Sequence, residues 1–145
     1  MVPGQAEDAV NPERDFFVGT WELDPATLAY QFGRPGRRAT YVIEAVPEGL
    51  RFTLDGEDAD KKPMKFTYGG ELDGRDQPVP GMDAVLVLTR QDANNIESVL
   101  KRGGKVVDRW TRELLPDLHT MRIIQHGVKP DGVAFRNTSI YRRVK

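Results

Sequence analysis

The chain of 145 residues has no cysteine and only two histidines. Without cysteine there is no disulfide, no thiolate nucleophile and no Cys-based zinc or iron–sulfur site. His119 and His126 fall on one expected strand at an odd separation, so they point to opposite faces and cannot share an ion. No HxH, HExxH or carboxylate-flanked His pair occurs, and neither a metal nor a cofactor is expected. An excess of either charge is also missing. Lys plus Arg total 21 against 22 Asp plus Glu, a net charge of -1, which denies nucleic acid or an anionic membrane the positive field it needs. No apolar run approaches the roughly 20 residues of a membrane span. The opening MVPGQAEDAVNPERD lacks the charged-then-apolar order of a signal peptide, so a cytoplasmic protein is expected.

What is present is 39% hydrophobic and 30% charged sequence, suited to one globular domain. Residues 1–15 carry Pro3, Gly4, Asn11 and Pro12 among acidic residues without any period, and are expected to form a flexible arm. From residue 16 to 145 the text changes to short stretches rich in Val, Ile, Thr, Tyr, Phe and Trp, separated by Gly, Asp, Asn and Pro. The expected strands are Val18–Asp24, Arg38–Val46, Leu50–Gly56, Pro63–Leu72, Ala84–Gln91, Asn95–Arg102, Lys105–Leu115, His119–Gly127 and Val133–Val144. Pro47-Glu48-Gly49, Asp92-Ala93-Asn94, Gly103-Gly104 and Pro130-Asp131-Gly132 supply hairpin turn chemistry. Asp73 to Asp83, with two prolines and two glycines, reads as a surface loop at a barrel mouth, with Met82 as a possible lid. One short helix is expected over Pro25 to Tyr30, capped by Asp24.

Parity separates two faces. Leu50, Phe52 and Leu54, Met64, Phe66 and Tyr68, and Ile96, Ser98 and Leu100 each alternate with more polar neighbours. A single sheet this long would leave an apolar face wet and two edges open. The fold class is therefore all-β: a closed antiparallel up-and-down β-barrel of about eight to ten strands, with an interior able to hold one small ligand.

Phe16-Phe17-Val18-Gly19-Thr20-Trp21-Glu22-Leu23 resembles the first strand of lipocalins and intracellular fatty-acid-binding proteins, the calycin barrels. Thr138-Ser139-Ile140-Tyr141-Arg142-Arg143-Val144 resembles their closing strand. The run from Phe16 to Val144 is also similar to a group of small bacterial lipocalin-like proteins, with Asp58-Ala59-Asp60, Asp73 to Val79 and Gly104 to Val107 as landmarks. The resemblance implies a lipid-binding or other small-molecule barrel whose floor is Gly19 and Trp21, covered by Arg142 or Arg143. Two departures stand out. Asp24 to Arg37 is too short for the two-helix lid of fatty-acid-binding proteins, and their carboxylate-clamping Arg-x-Tyr reads here Ser139-Ile140-Tyr141.

Inward parity nominates the ligand-binding residues. Phe52, Phe66 and Tyr68 form a wall, either as core or as cavity lining. Ser98, Asn137, Ser139 and Tyr141 give the interior more polar character than a dry plug tolerates. With Met121 facing inward, His119 faces inward too, as a hydrogen-bonded rim residue or as a pocket donor or base. The segment 105–115 has no cleanly apolar face. Placing Trp110 inside brings Arg112 inside, where it requires an acidic partner such as Asp108 or an anionic ligand; a one-residue bulge would reverse this. DGEDAD and DGRD lack the ladder of a calcium loop and read as solvated turns.

Three functions fit. The preferred one is a carrier or sensor for one small hydrophobic or amphipathic molecule, in a monomer or homodimer. The second is a cofactor-free isomerase, cyclase or hydratase using His119 or Tyr141, although no catalytic motif is visible. The third is a filled barrel acting through its outer surface.

Overall fold

Tight turns between alternating segments dictate an antiparallel meander, and the computed structural model, which describes residues 15–144, has that architecture. Its strands are β1 (Gly19–Leu23), β2 (Ala29–Tyr30), β3 (Arg38–Val46), β4 (Gly49–Glu57), β5 (Pro63–Gly70), β6 (Asp73–Pro78), β7 (Val85–Asp92), β8 (Asn95–Arg102), β9 (Lys105–Leu114), β10 (Thr120–Val128) and β11 (Ala134–Arg143). They pair in the order β5-β4-β3-β1-β11-β10-β9-β8-β7-β6, and β2 adds to β11. β1 therefore joins the first and last hairpins, and the sheet wraps into a nearly closed barrel. The seam lies between β5 and β6. There the Gln77 side chain replaces ladder bonds, accepting from Glu71 N at 2.9 Å and donating to Glu71 O at 2.8 Å. Gly70 makes room for it: at φ 147 a Cβ would stand 2.1 Å from Gln77 Oε1. The expected arm, residues 1–15, lies almost wholly outside the described residues.

Two expectations about local structure are corrected. The helix over Pro25 to Tyr30 is a single 3₁₀ turn, Pro25–Thr27. Asp24 caps it and Pro25 starts it, but Ala29 and Tyr30 are drawn into pairing with β11, and no α-helix forms. The segment read as a loop from Asp73 is strand β6 as far as Pro78; pairing of Asp76, Gln77 and Pro78 with Val87, Leu86 and Val85 overrides its turn-like composition. A bulge does occur in the β8–β9 pair, between Leu100 and Lys101, which face Asp108 and Val106. It leaves Val107 as the extra residue at the hairpin end, so the alternation from Asp108 to Leu114 is intact.

The barrel is filled at one end and hollow at the other. Phe17, Trp21, Ile43, Leu50, Phe52, Leu88, Ile96, Leu114 and Met121 are fully buried and come from the strand ends nearest the turns 47–48, 93–94 and 115–119. Trp21 plugs this floor, its indole N–H donating to Phe17 O at 3.0 Å. Arg143 covers the ring at 4.2 Å from its centroid and donates to Val18 O at 2.9 Å, Leu118 O at 3.0 Å and Phe16 O. Arg142 points outward to Asp24. Gly19 opens β1 at φ 149, a conformation that suits only a residue without Cβ.

Candidate functional site

Above this floor lies a cavity of about 550 Å³, the size of ordinary small-molecule sites. Its walls carry Leu54, Met64, Phe66, Trp110 and Ile123 as apolar surface and Tyr41, Tyr68, Ser139 and Tyr141 as hydroxyls. Tyr30, Val79 and Met82 stand at its rim, so the connection after β6 contributes to the mouth. Alternation places these groups. On β5, Met64, Phe66 and Tyr68 face in; on β9, Asp108, Trp110, Arg112 and Leu114 do.

Arg112 is the anomaly. It is fully buried beneath the cavity wall, and Nη2 donates to Tyr68 Oη at 2.9 Å. Its guanidinium lies 4.4 Å from the Phe52 centroid and 4.9 Å from that of Tyr41. Among the described residues Nε and Nη1 have no hydrogen-bond partner, nor has the buried Ser98 Oγ on β8. Asp108 is not its counter-ion: that carboxylate instead accepts from Gln125 Nε2 at 3.1 Å and Arg109 N at 2.9 Å. Burial alone depresses the basicity of Arg112, but the surrounding tyrosine oxygens outweigh it and the net shift is upward; the site holds a permanent cation. An uncompensated guanidinium in this setting is costly, and its field reaches the cavity through Tyr68.

The tyrosines form one layer above it. Tyr68 Oη and Tyr41 Oη are 3.4 Å apart; Tyr41 and Tyr141 meet edge to face at 5.3 Å, and Tyr68 stacks on Phe52 at 5.1 Å while Trp110 stands edge-on to it at 5.9 Å. Burial raises the pKa of Tyr41 and Tyr141 above the ordinary phenol value; Arg112 opposes the shift without cancelling it. Both are hydroxyl donors, not bases, near neutrality.

Asn137 has a different task. Its Oδ1 accepts from Gln31 N at 2.9 Å and Phe32 N at 3.2 Å, and its Nδ2 donates to Phe32 O at 2.8 Å and Gln125 Oε1 at 3.1 Å. It therefore pins the segment after β2 across one side of the mouth.

Of the residues nominated from the sequence, Phe66, Tyr68, Trp110, Asn137, Ser139 and Tyr141 meet on the cavity wall. Phe52, Ser98, Arg112 and Met121 lie deeper, in the packed layer. His119 does not face inward. Asp117 Oδ1 binds the backbone N–H of both His119 and Thr120, so β10 begins one residue later and the imidazole is exposed on a floor turn. Tyr41, Gln125 and Ile123 were not nominated, and Asp108 was expected only as a partner of Arg112. Tyr41 was within reach, because Ala39, Tyr41, Ile43 and Ala45 alternate with Thr40, Val42 and Glu44.

No protein-family model and no curated protein matches the chain significantly. Among solved structures it is similar to fluorescent protein UnaG, at TM-score 0.58 and 19% identity over 88% of this chain and 97% of that one. It is also similar to EF1p2_mFAP2b bound to DFHBI, at TM-score 0.52 and 10% identity over 90% and 95% of the two chains. The fold is calycin-like. In this calycin-like barrel Arg143 covers the floor tryptophan Trp21, and the buried cation, Arg112, stands on β9. Among the described residues no helix is long and apolar enough to cross a membrane.

Proposed function

We propose that the barrel binds one small amphipathic molecule, with its hydrogen-bond-accepting, preferably anionic, end on the Tyr41, Tyr68 and Tyr141 hydroxyls and its apolar body against Leu54, Met64, Trp110 and Ile123. The observation that carries this reading is the cavity standing directly above a buried guanidinium, two of whose nitrogens have no hydrogen-bond partner among the described residues. A filled barrel acting only through its exterior has no use for either feature. Acid–base catalysis by His119 has no support, since that imidazole stands outside the cavity, and the raised Tyr141 pKa makes a poor base of the other candidate.

The structural neighbours favour small-molecule binding in general, since one of them is described as bound to DFHBI. The test compares 1-anilinonaphthalene-8-sulfonate with N-phenyl-1-naphthylamine, which has the same apolar body and no charge. The sulfonate is expected to saturate at one site per chain, to quench tryptophan emission and to bind about tenfold tighter than the neutral amine, a preference that Arg112→Met abolishes. Absence of saturable binding by both probes would sink the reading.

A further inference from the structure

Among the described residues lining the cavity, Asp108 is the one with a formal charge. It is half-buried and in no ion pair among the described residues; Oδ1 is occupied by Gln125 and Arg109 N, which leaves Oδ2 free to accept. Gln125 is held in turn by Asn137, so the carboxylate sits on a fixed polar edge, Asp108–Gln125–Asn137, near the mouth. Asp108, Trp110 and Arg112 follow one another on the inward face of β9. Four steps of strand separate the anion from the cation, roughly 13 Å, with the indole between them. The cavity is thus polarised along its length: positive and hydroxyl-rich at depth, apolar at the middle, negative toward the mouth.

We infer that the ligand is bipolar, an elongated molecule with an acidic group at the deep end and a hydrogen-bond donor, best a cationic amine, at the end that meets Asp108. This rests on the binding reading above and specifies it further. A purely apolar tail at the Asp108 end would bury the free Oδ2 without a partner, and a second acidic group there would meet like charge. An amine placed there gains a charge-assisted hydrogen bond to Oδ2 while staying close to water, which limits its desolvation.

The experiment measures calorimetric binding of dodecanoic acid, 12-aminododecanoic acid and dodecanedioic acid to the full chain and to Asp108→Asn. Wild type is expected to rank the amino acid first and the diacid last, with about tenfold or more between them. In Asp108→Asn the two should converge to within about threefold, mostly because the diacid binds better. If wild type binds dodecanoic acid but does not discriminate its two derivatives, or if Asp108→Asn keeps the ranking, the bipolar assignment is wrong and simple amphipathic binding stands. If none of the three binds, both proposals fall. The wild-type ranking needs no variant, so a folding defect in Asp108→Asn would not protect the inference.

Discussion

Arg112 Nη2 on β9 reaches across the barrel to Tyr68 Oη on β5 at 2.9 Å, which ties two walls together below the cavity. The bond is the guanidinium's one hydrogen bond to protein among the described residues, because Nε and Nη1 have none. Tyr68→Phe removes it while keeping the ring, and is expected to destabilise the fold by about 1–3 kcal/mol by leaving the charge wholly unpaired. Arg112→Met removes the charge itself and fills similar space; it should be at least as stable as wild type, by up to about 2 kcal/mol, while losing preference for anionic ligands. Urea midpoints of the two variants decide this, and an Arg112→Met protein weaker than Tyr68→Phe would refute it.

The floor predicts an asymmetry between adjacent arginines. Arg143 lies over Trp21 and bonds three backbone carbonyls; Arg142 is exposed and reaches Asp24 at 3.4 Å. Arg143→Ala should cost about 2–3 kcal/mol, since it orphans carbonyls and uncovers the indole, whereas Arg142→Ala should cost about 0.5 kcal/mol or less. Trp21→Ala should be the most damaging, at about 3–5 kcal/mol. Because all three positions lie away from the cavity, Arg143→Ala should leave ligand affinity within about twofold where the protein remains folded. Thermal melts paired with dye titrations would check both halves.

The bounds of β3 and β8 could be read from the sequence to the residue, because each is a clean alternation closed by Gly, Pro or Asn turns. The inward course of Arg112 was only half legible: burying Trp110 implied it, but a bulge anywhere along 105–115 would have reversed it, and the bulge that forms lies before Asp108, where it leaves that parity intact. What composition hid was β6: Asp73, Gly74, Asp76 and Pro78 are turn formers that take strand geometry only because β7 pairs with them. His119 was misplaced by one residue of strand start, a shift fixed by Asp117 capping two amides. Which inward residues fill the floor and which line the hollow depends on depth along the barrel, and parity carries no information about depth. The partnership of Asp108 with Gln125, not with Arg112, likewise depends on side-chain reach between β9 and β10.

The tyrosine layer sets an alkaline limit on stability. Tyr41 and Tyr141 have folded pKa values above the ordinary 10.0, chiefly through burial. The native state therefore holds these protons after the unfolded chain has released its own, and their contribution is complete below pH 10 and falls as pH rises through and beyond it. The urea midpoint should decline from about pH 10 upward in wild type, and less steeply in Tyr41→Phe and Tyr141→Phe. Equal slopes in all three proteins would show that the layer does not govern alkaline unfolding. Arg112 keeps its charge across this range, so it cannot supply the transition.

The Asn137 carboxamide connects cavity access to one side chain. Its Oδ1 is the acceptor for the amides of both Gln31 and Phe32, and its Nδ2 returns a bond to Phe32 O, so the segment after β2 is held to β11 at a point where the backbone pairing has ended. Asn137→Ala removes every one of these bonds at once, at an expected cost of about 1–3 kcal/mol. The loss should be local. Hydrogen exchange at the Gln31 and Phe32 amides should accelerate about tenfold or more, while amides of β3 and β4 shift only by the global change in stability. Ligand association and dissociation should both quicken, since the wall they pass is freed, with a smaller change in affinity. Asn137→Asp keeps the acceptor for the two amides but loses the donor to Phe32 O and Gln125, and should retain slow exchange while placing a second carboxylate across Gln125 from Asp108. If exchange at Gln31 and Phe32 is already fast in wild type, the clamp is not closed in solution, and access to the barrel is controlled elsewhere on the rim.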